Sequence, residues 1–133
     1  MMRAIAGAVL GIGLALPGAG AAALAEEEDI NQRLMEMSVA DEIRKRCDSI
    51  SARLWRGLAL MNELKAEAVA RGYSEAEIEA YVTDREEKRR MRARADAYIR
   101  AQGAAPNDGP SLCVLGREEI AKQSRIGTLL RAR

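Results

Sequence analysis

Between Ser38 and Arg71 the residues Ile43, Cys47, Ile50, Leu54, Gly57, Met61, Leu64 and Ala68 recur in alternating steps of four and three. Such steps place side chains on one stripe of an α-helix, so the spacing predicts a single long helix over this stretch. Ser38 reads as its N-cap, with Asp41 and Glu42 in the first turn, where the helix dipole favours negative charge. Trp55 and Leu58 flank the stripe and widen it toward the apolar face of a packed bundle helix. Gly57 costs helix propensity and reads as a point of close helix approach or as a kink. Arg71-Gly72 is a stop signal, a basic last turn followed by a glycine. Because Cys47 lies in the stripe, the rest of the chain is expected to be fastened across this helix.

What Cys47 can do depends on the compartment. Met1-Met2-Arg3 is a short positive start, Ala4 to Leu16 is apolar, Pro17-Gly18 breaks the run, and Ala23-Leu24-Ala25 has the small-x-small form a signal peptidase requires. Residues 1–25 are therefore predicted to be a signal peptide cut after Ala25, with residues 26–133 a single helical domain in the periplasm or secreted. The apolar run is shorter than the ~20 residues of a membrane-spanning helix, and no cysteine follows the cut site to take a lipid anchor. In an oxidising compartment the two cysteines, Cys47 and Cys113, are expected to form one disulfide. Closing a loop of about 66 residues is worth on the order of 4 kcal/mol in the chain-entropy treatment. A redox or metal-binding pair is the competing reading, and it lacks both a Cys-x-x-Cys spacing and a nearby base.

Beyond the acidic leader Glu26–Asp29, read as mobile, Ile30, Leu34 and Met37 suggest a short first helix or docking segment. Ser74-Glu75-Ala76-Glu77 is a capping box opening a further helix with Ile78, Tyr81 and Val82 on one side. Thr83-Asp84 can cap a fresh helix, so the region is one long helix or two joined by a bend. Met91, Ala95, Tyr98 and Ala101 continue the four-three spacing as far as Gly103. Gly103 to Pro110 is a loop. Pro110 suits a first helical position, and Leu112, Cys113, Gly116 and Ile120 then line one side of another helix. Ser124 is placed to cap a last turn carrying Ile126, Leu129 and Leu130, which completes the core or docks on another surface; a thin core favours the first. No β signal is present. The chain reads as all-α: a small bundle of two or three long helices plus a short C-terminal helix, stapled by one disulfide.

The chain has no histidine, which removes the commonest general base and metal ligand. Phosphate loops and dinucleotide fingerprints are missing as well. Glu118-Glu119, or Asp41-Glu42 with Asp48, are the carboxylates from which an acid/base pair could be made. Adjacent helical carboxylates point in different directions, so no catalytic, cofactor-binding or metal-binding residue is assigned and the chain is read as a non-enzyme. Without Arg3 the 21 basic and 20 acidic residues balance, which disfavours nucleic acid as a partner. Local basic density remains in Arg85, Lys88, Arg89, Arg90, Arg92 and Arg94. It reads as a helix laced by i,i+4 pairs from Asp84 to Lys88 and Glu86 to Arg90, or as a patch for an acidic partner or weak contact with anionic lipid. Arg85, Lys88, Arg89 and Arg92, with Ile126, Leu129 and Leu130, are the candidate interaction surface.

Several segments carry a resemblance: Ala40-Asp41-Glu42-Ile43-Arg44 with Cys47, Ile50-Ser51-Ala52-Arg53, Gly72-Tyr73-Ser74, and Glu77-Ile78-Glu79-Ala80-Tyr81-Val82. To these are added Ser111-Leu112-Cys113, Ser124-Arg125-Ile126-Gly127 and Leu129-Leu130-Arg131. Together they resemble a family of small exported bacterial proteins known as domain of unknown function 5333, over nearly all of the chain beyond the leader. The resemblance implies no activity, cofactor or catalytic residue. The family's association with genes for the respiratory NADH dehydrogenase implies accessory company with a membrane respiratory complex. The function expected is thus a periplasmic interaction or accessory module with an unidentified protein partner. The alternative is a carrier of a small apolar or lipid ligand held between the helices.

Overall fold

The computed structural model describes Gly11 and residues 23–133. Most of the expected leader lies outside the described residues. Its last three, Ala23 to Ala25, form a turn in which the Glu26 and Glu27 amides donate to the Ala23 and Leu24 carbonyls at 3.0 and 3.1 Å.

Helix α1 spans Glu28–Arg46, so it begins ten residues before Ser38, which lies mid-helix and caps nothing. Its inward face includes Asn31, Glu36 and Glu42 beside Ile30, Met35, Val39 and Ile43. Buried polar residues interrupt the apolar pattern, and that is why the first half of the helix is hard to read. Glu28 and Asp29 at its start and Arg44, Lys45 and Arg46 at its end match the dipole. The acidic leader is pinned rather than loose. Arg71 bonds Asp29 at 2.9 Å, and the Tyr73 hydroxyl donates to Glu27 at 2.9 Å.

The long helix expected through Arg71 is two helices. Cys47 is extended and its amide closes α1 on the Ile43 carbonyl at 2.9 Å. Asp48-Ser49 turns the chain into strand β1, Ile50–Ala52. It pairs antiparallel with β2, Leu130–Ala132, in the register Ile50 to Ala132, Ser51 to Arg131 and Ala52 to Leu130. Ile50 is buried in a strand just as it would be in a helix stripe, so burial spacing alone could not reveal the break. Helix α2, Leu54–Ala70, follows as one unbroken element through Gly57 and stops at Gly72, whose φ is +98°.

Helix α3, Glu75–Thr83, opens with both reciprocal bonds of the Ser74–Glu77 capping box. Asp84 ends α3 and caps helix α4, Arg85–Ala101, by accepting from the Glu87 amide at 2.9 Å, so the open question at Thr83-Asp84 resolves as two helices. Asp108 caps helix α5, Gly109–Lys122, with Pro110 in its first turn. Ser124 then accepts from the Gly127 amide at 2.9 Å and leads into a 3-10 turn, Gly127–Leu129.

The described residues are all-α apart from the two three-residue strands. Helices α4 and α5 both lie on α1, and the core between them contains Val39, Ile43, Ala95, Ile99, Leu112 and Leu115. Each of the branched side chains contributes about 1.5–3 kcal/mol by leaving water. Ile126, Leu129 and Leu130 close the same core. Ile126 and Leu130 are therefore core residues and not a free surface, because a core without Phe needs every branched side chain. Leu129 belongs to the core and also lines a groove beside α2. The Cys47–Cys113 disulfide spans Cα atoms 5.3 Å apart and joins the end of α1 to α5. A smaller cluster of Leu24, Ile30, Ala68 and Tyr81 fastens the far end of α2 to the start of α1.

Candidate functional site

Helix α2 is attached to the bundle at its two ends and through half-buried Leu60, which packs on the main core. At the start the Arg53 amide donates to the Leu129 carbonyl at 2.8 Å. At the finish Leu64 and Ala68 are buried, Arg33 reaches Glu63 at 3.4 Å, and Arg71 meets Asp29 and Glu67. The first two turns between those anchors are not covered. Leu54, Trp55 and Leu58 are 75%, 85% and 55% exposed. The expectation that Trp55 and Leu58 pack into a bundle face is corrected: the helix restarts at Leu54 with a new phase, and the strand before it holds this face away from the core.

This face forms one wall of a groove of about 960 Å³. Leu34, Met37 and Ala40 of α1 supply the floor, Leu54, Trp55, Leu58 and Met61 of α2 one side, and Val82 and Met91 of α3 and α4 the other. Gly57 also lines it, and a Cβ there would meet nothing within 4 Å, so the glycine leaves room instead of receiving another helix. Apolar surface of this extent on a small domain marks an interaction site or a ligand groove.

The charges at the rim are asymmetric. Asp41 is engaged by Arg44 at 2.6 Å and by Lys45 at 2.8 Å, and Glu87 is engaged by Arg90 at 2.8 Å. Arg53 and Lys88 line the groove as well. Among the described residues neither has a carboxylate within 4.0 Å. The unmatched rim charge is positive.

Of the seven candidate interaction residues, Lys88 and the largely buried Leu129 line this groove. Arg85 stands exposed at the start of α4, Arg89 pairs with Glu86, and Arg92 reaches the buried Glu42 at 2.8 Å. The expected i,i+4 pairs give way to i,i+3 pairs, Glu86 with Arg89 and Glu87 with Arg90. The residues that sequence reasoning missed are Leu54, Trp55 and Leu58 as a surface. The available signal was the sole tryptophan standing between Arg53 and Arg56.

The carboxylates considered for acid/base work are not brought together as pairs. Glu119 is buried, accepting from the Tyr98 hydroxyl at 2.8 Å and from Ser124, while Glu118 is exposed. Burial, and then Glu119, push the Tyr98 phenol well above its ordinary value of 10.0. Glu42 is buried against Arg92, whereas Asp41 is half exposed and Asp48 is exposed. These two buried glutamates tie elements together: Glu119 holds the turn after α5 to α4, and Glu42 holds α4 to α1; a third, Glu36, meets Arg125. Among the described residues no group of three or more acidic or cysteine side chains is placed to hold a metal, and no helix is long and apolar enough to cross a membrane.

Residues 22–131 match the model of a family described as a family of unknown function, DUF5333. The chain belongs to that family. No curated protein and no solved structure matches it.

Proposed function

We propose that this chain is an exported, non-enzymatic interaction module whose groove receives an amphipathic helical segment of a partner protein, apolar on one face and acidic on its flank. The observation that carries the reading is the exposed Leu54-Trp55-Leu58 wall facing Val82 and Met91. Trp is the residue most enriched where binding energy concentrates, and Met and Arg are also favoured at such interfaces. A helix laid in an apolar groove presents the matching i, i+3, i+4 and i+7 anchors. Arg53 and Lys88 at the rim select carboxylates on that helix. The disulfide suits an oxidising compartment, and a role as accessory to a membrane respiratory complex is one setting for such a module.

The second reading, a carrier of a small apolar or lipid ligand, is favoured by the same apolar floor. A carrier site encloses about 70–90% of its ligand, and a wall whose Trp55 is 85% exposed does not enclose. The partner reading therefore leads.

Trp55 is the sole tryptophan and reports the groove directly. Titration with a designed acidic helix carrying Leu at i, i+3 and i+7 should shift its emission to the blue with saturable binding. A basic helix with the same apolar face should bind at least tenfold more weakly, and Lys88→Glu with Arg53→Glu should reverse that order. Equal affinity for both peptides would remove the electrostatic half of the proposal. A saturable response to a fatty acid, with none to either peptide, would replace the partner by the carried ligand.

A further inference from the structure

We infer that the exported chain is cut N-terminal to Leu24, at the Ala21–Ala22 bond, and that Leu24 is part of the mature fold. The inference rests on the export reading above.

Leu24 is 2% exposed and sits with Ile30, Ala68 and Tyr81 in the cluster that joins α1, α2 and α3. Its carbonyl accepts from the Asn31 side-chain amide at 2.8 Å, and the same amide donates to Glu27. The Asn31 oxygen in turn accepts from the Tyr81 hydroxyl, so a buried polar chain runs from Leu24 to α3. A cut after Ala25 would remove the leucine and one acceptor of a buried donor together. Both losses are costly in a domain with so small a core.

The span of the family match is a second, independent observation, because it begins at residue 22 and so includes the Leu24 turn. The sequence offers the alternative cut. Ala19-Gly20-Ala21 has the same small-x-small form as Ala23-Leu24-Ala25 and follows the same Pro17-Gly18 break. At that site a signal peptidase adds water across the Ala21–Ala22 peptide bond. The carboxylate stays on Ala21 with the leader and the ammonium on Ala22 with the mature chain.

The test is intact mass and N-terminal sequencing of the protein recovered from the compartment to which its own cells export it. A start at Ala22 upholds the inference, and a start at Ala23 or Leu24 overturns the bond named while keeping Leu24 in the mature chain. A start at Glu26 or further on overturns it while leaving export in place. An uncut chain overturns both. Chains beginning at Ala22 and at Glu26, each refolded with its disulfide, give a separate readout. The shorter one should melt about 5–10 °C lower, and equal melting temperatures would show that Leu24 contributes nothing to the fold.

Discussion

A Cβ added at Gly116 would lie 2.5 Å from Ile50 Cδ1 and 2.7 Å from Ile43 Cγ2, whereas one added at Gly57 would meet nothing within 4 Å. Both glycines are helical, yet alanine should act on them in opposite directions. Gly116→Ala forces α5 away from α1 and β1 and should destabilise by about 1–3 kcal/mol. Gly57→Ala removes backbone freedom from the unfolded chain and should stabilise by about 0.5–1 kcal/mol. Chemical denaturation of the two variants separates these effects; a loss of stability at Gly57 would mean that α2 packs more closely than the structure shows. A second residue-scale expectation concerns acid. The side-chain bond from Arg71 holds Asp29 at about 2, against an ordinary 3.8. The unfolded chain thus takes up this proton at higher pH than the folded one. The contribution of the Asp29–Arg71 pair is complete above about pH 4 and is lost as the pH falls toward 2. Asp29→Asn should flatten that part of the acid unfolding curve. An unchanged curve would place the acid sensitivity in other carboxylates.

At the scale of elements, the strand pair and the disulfide perform one task, fixing the end of α1 against the C-terminal third of the chain. Replacing Cys47 and Cys113 together by Ser should lower the melting temperature by on the order of 20 °C, since the bridge closes a long loop. Truncation after Gln123 removes Ile126, Leu129, Leu130 and strand β2, and should leave the domain without a cooperative melting transition. A truncated chain that still melts cooperatively would show that α1, α4 and α5 suffice alone. The elements also show what could be read beforehand. Capping boxes, stop glycines and first-turn prolines are local chemistry, so Ser74, Gly72, Pro110 and Ser124 announced their roles. The Cys47–Cys113 pairing followed from cysteine number and compartment. The break after Arg46 did not follow from spacing, because β1 exists only through its partner β2, 80 residues later at Ser51 and Arg131. The groove was hidden for the same reason. Leu54 and Trp55 look like core residues until the strand sets where α2 begins.

Taken whole, the molecule has a well-filled core on the side of α4 and α5 and an incompletely covered helix on the other. Buried Glu36, Glu42 and Glu119 each engage a residue of another element. Among the described residues exposed Leu54, Trp55, Leu58, Met61 and Val82 gather in one groove with an unmatched positive rim, Val69 and Val114 lying outside it. That groove is the feature on which the proposed recognition function rests. The most direct test places a photoreactive side chain at Leu58, inside the groove, and another at Glu118, on the exposed face of α5, in the full chain within its own cells. Irradiation should join the Leu58 position to one polypeptide through an amphipathic helical segment rich in Asp or Glu, and Lys88→Glu with Arg53→Glu should abolish that product. The Glu118 position should give none of it. Cross-linking at Leu58 to lipid alone, or equal products from both positions, would contradict the account.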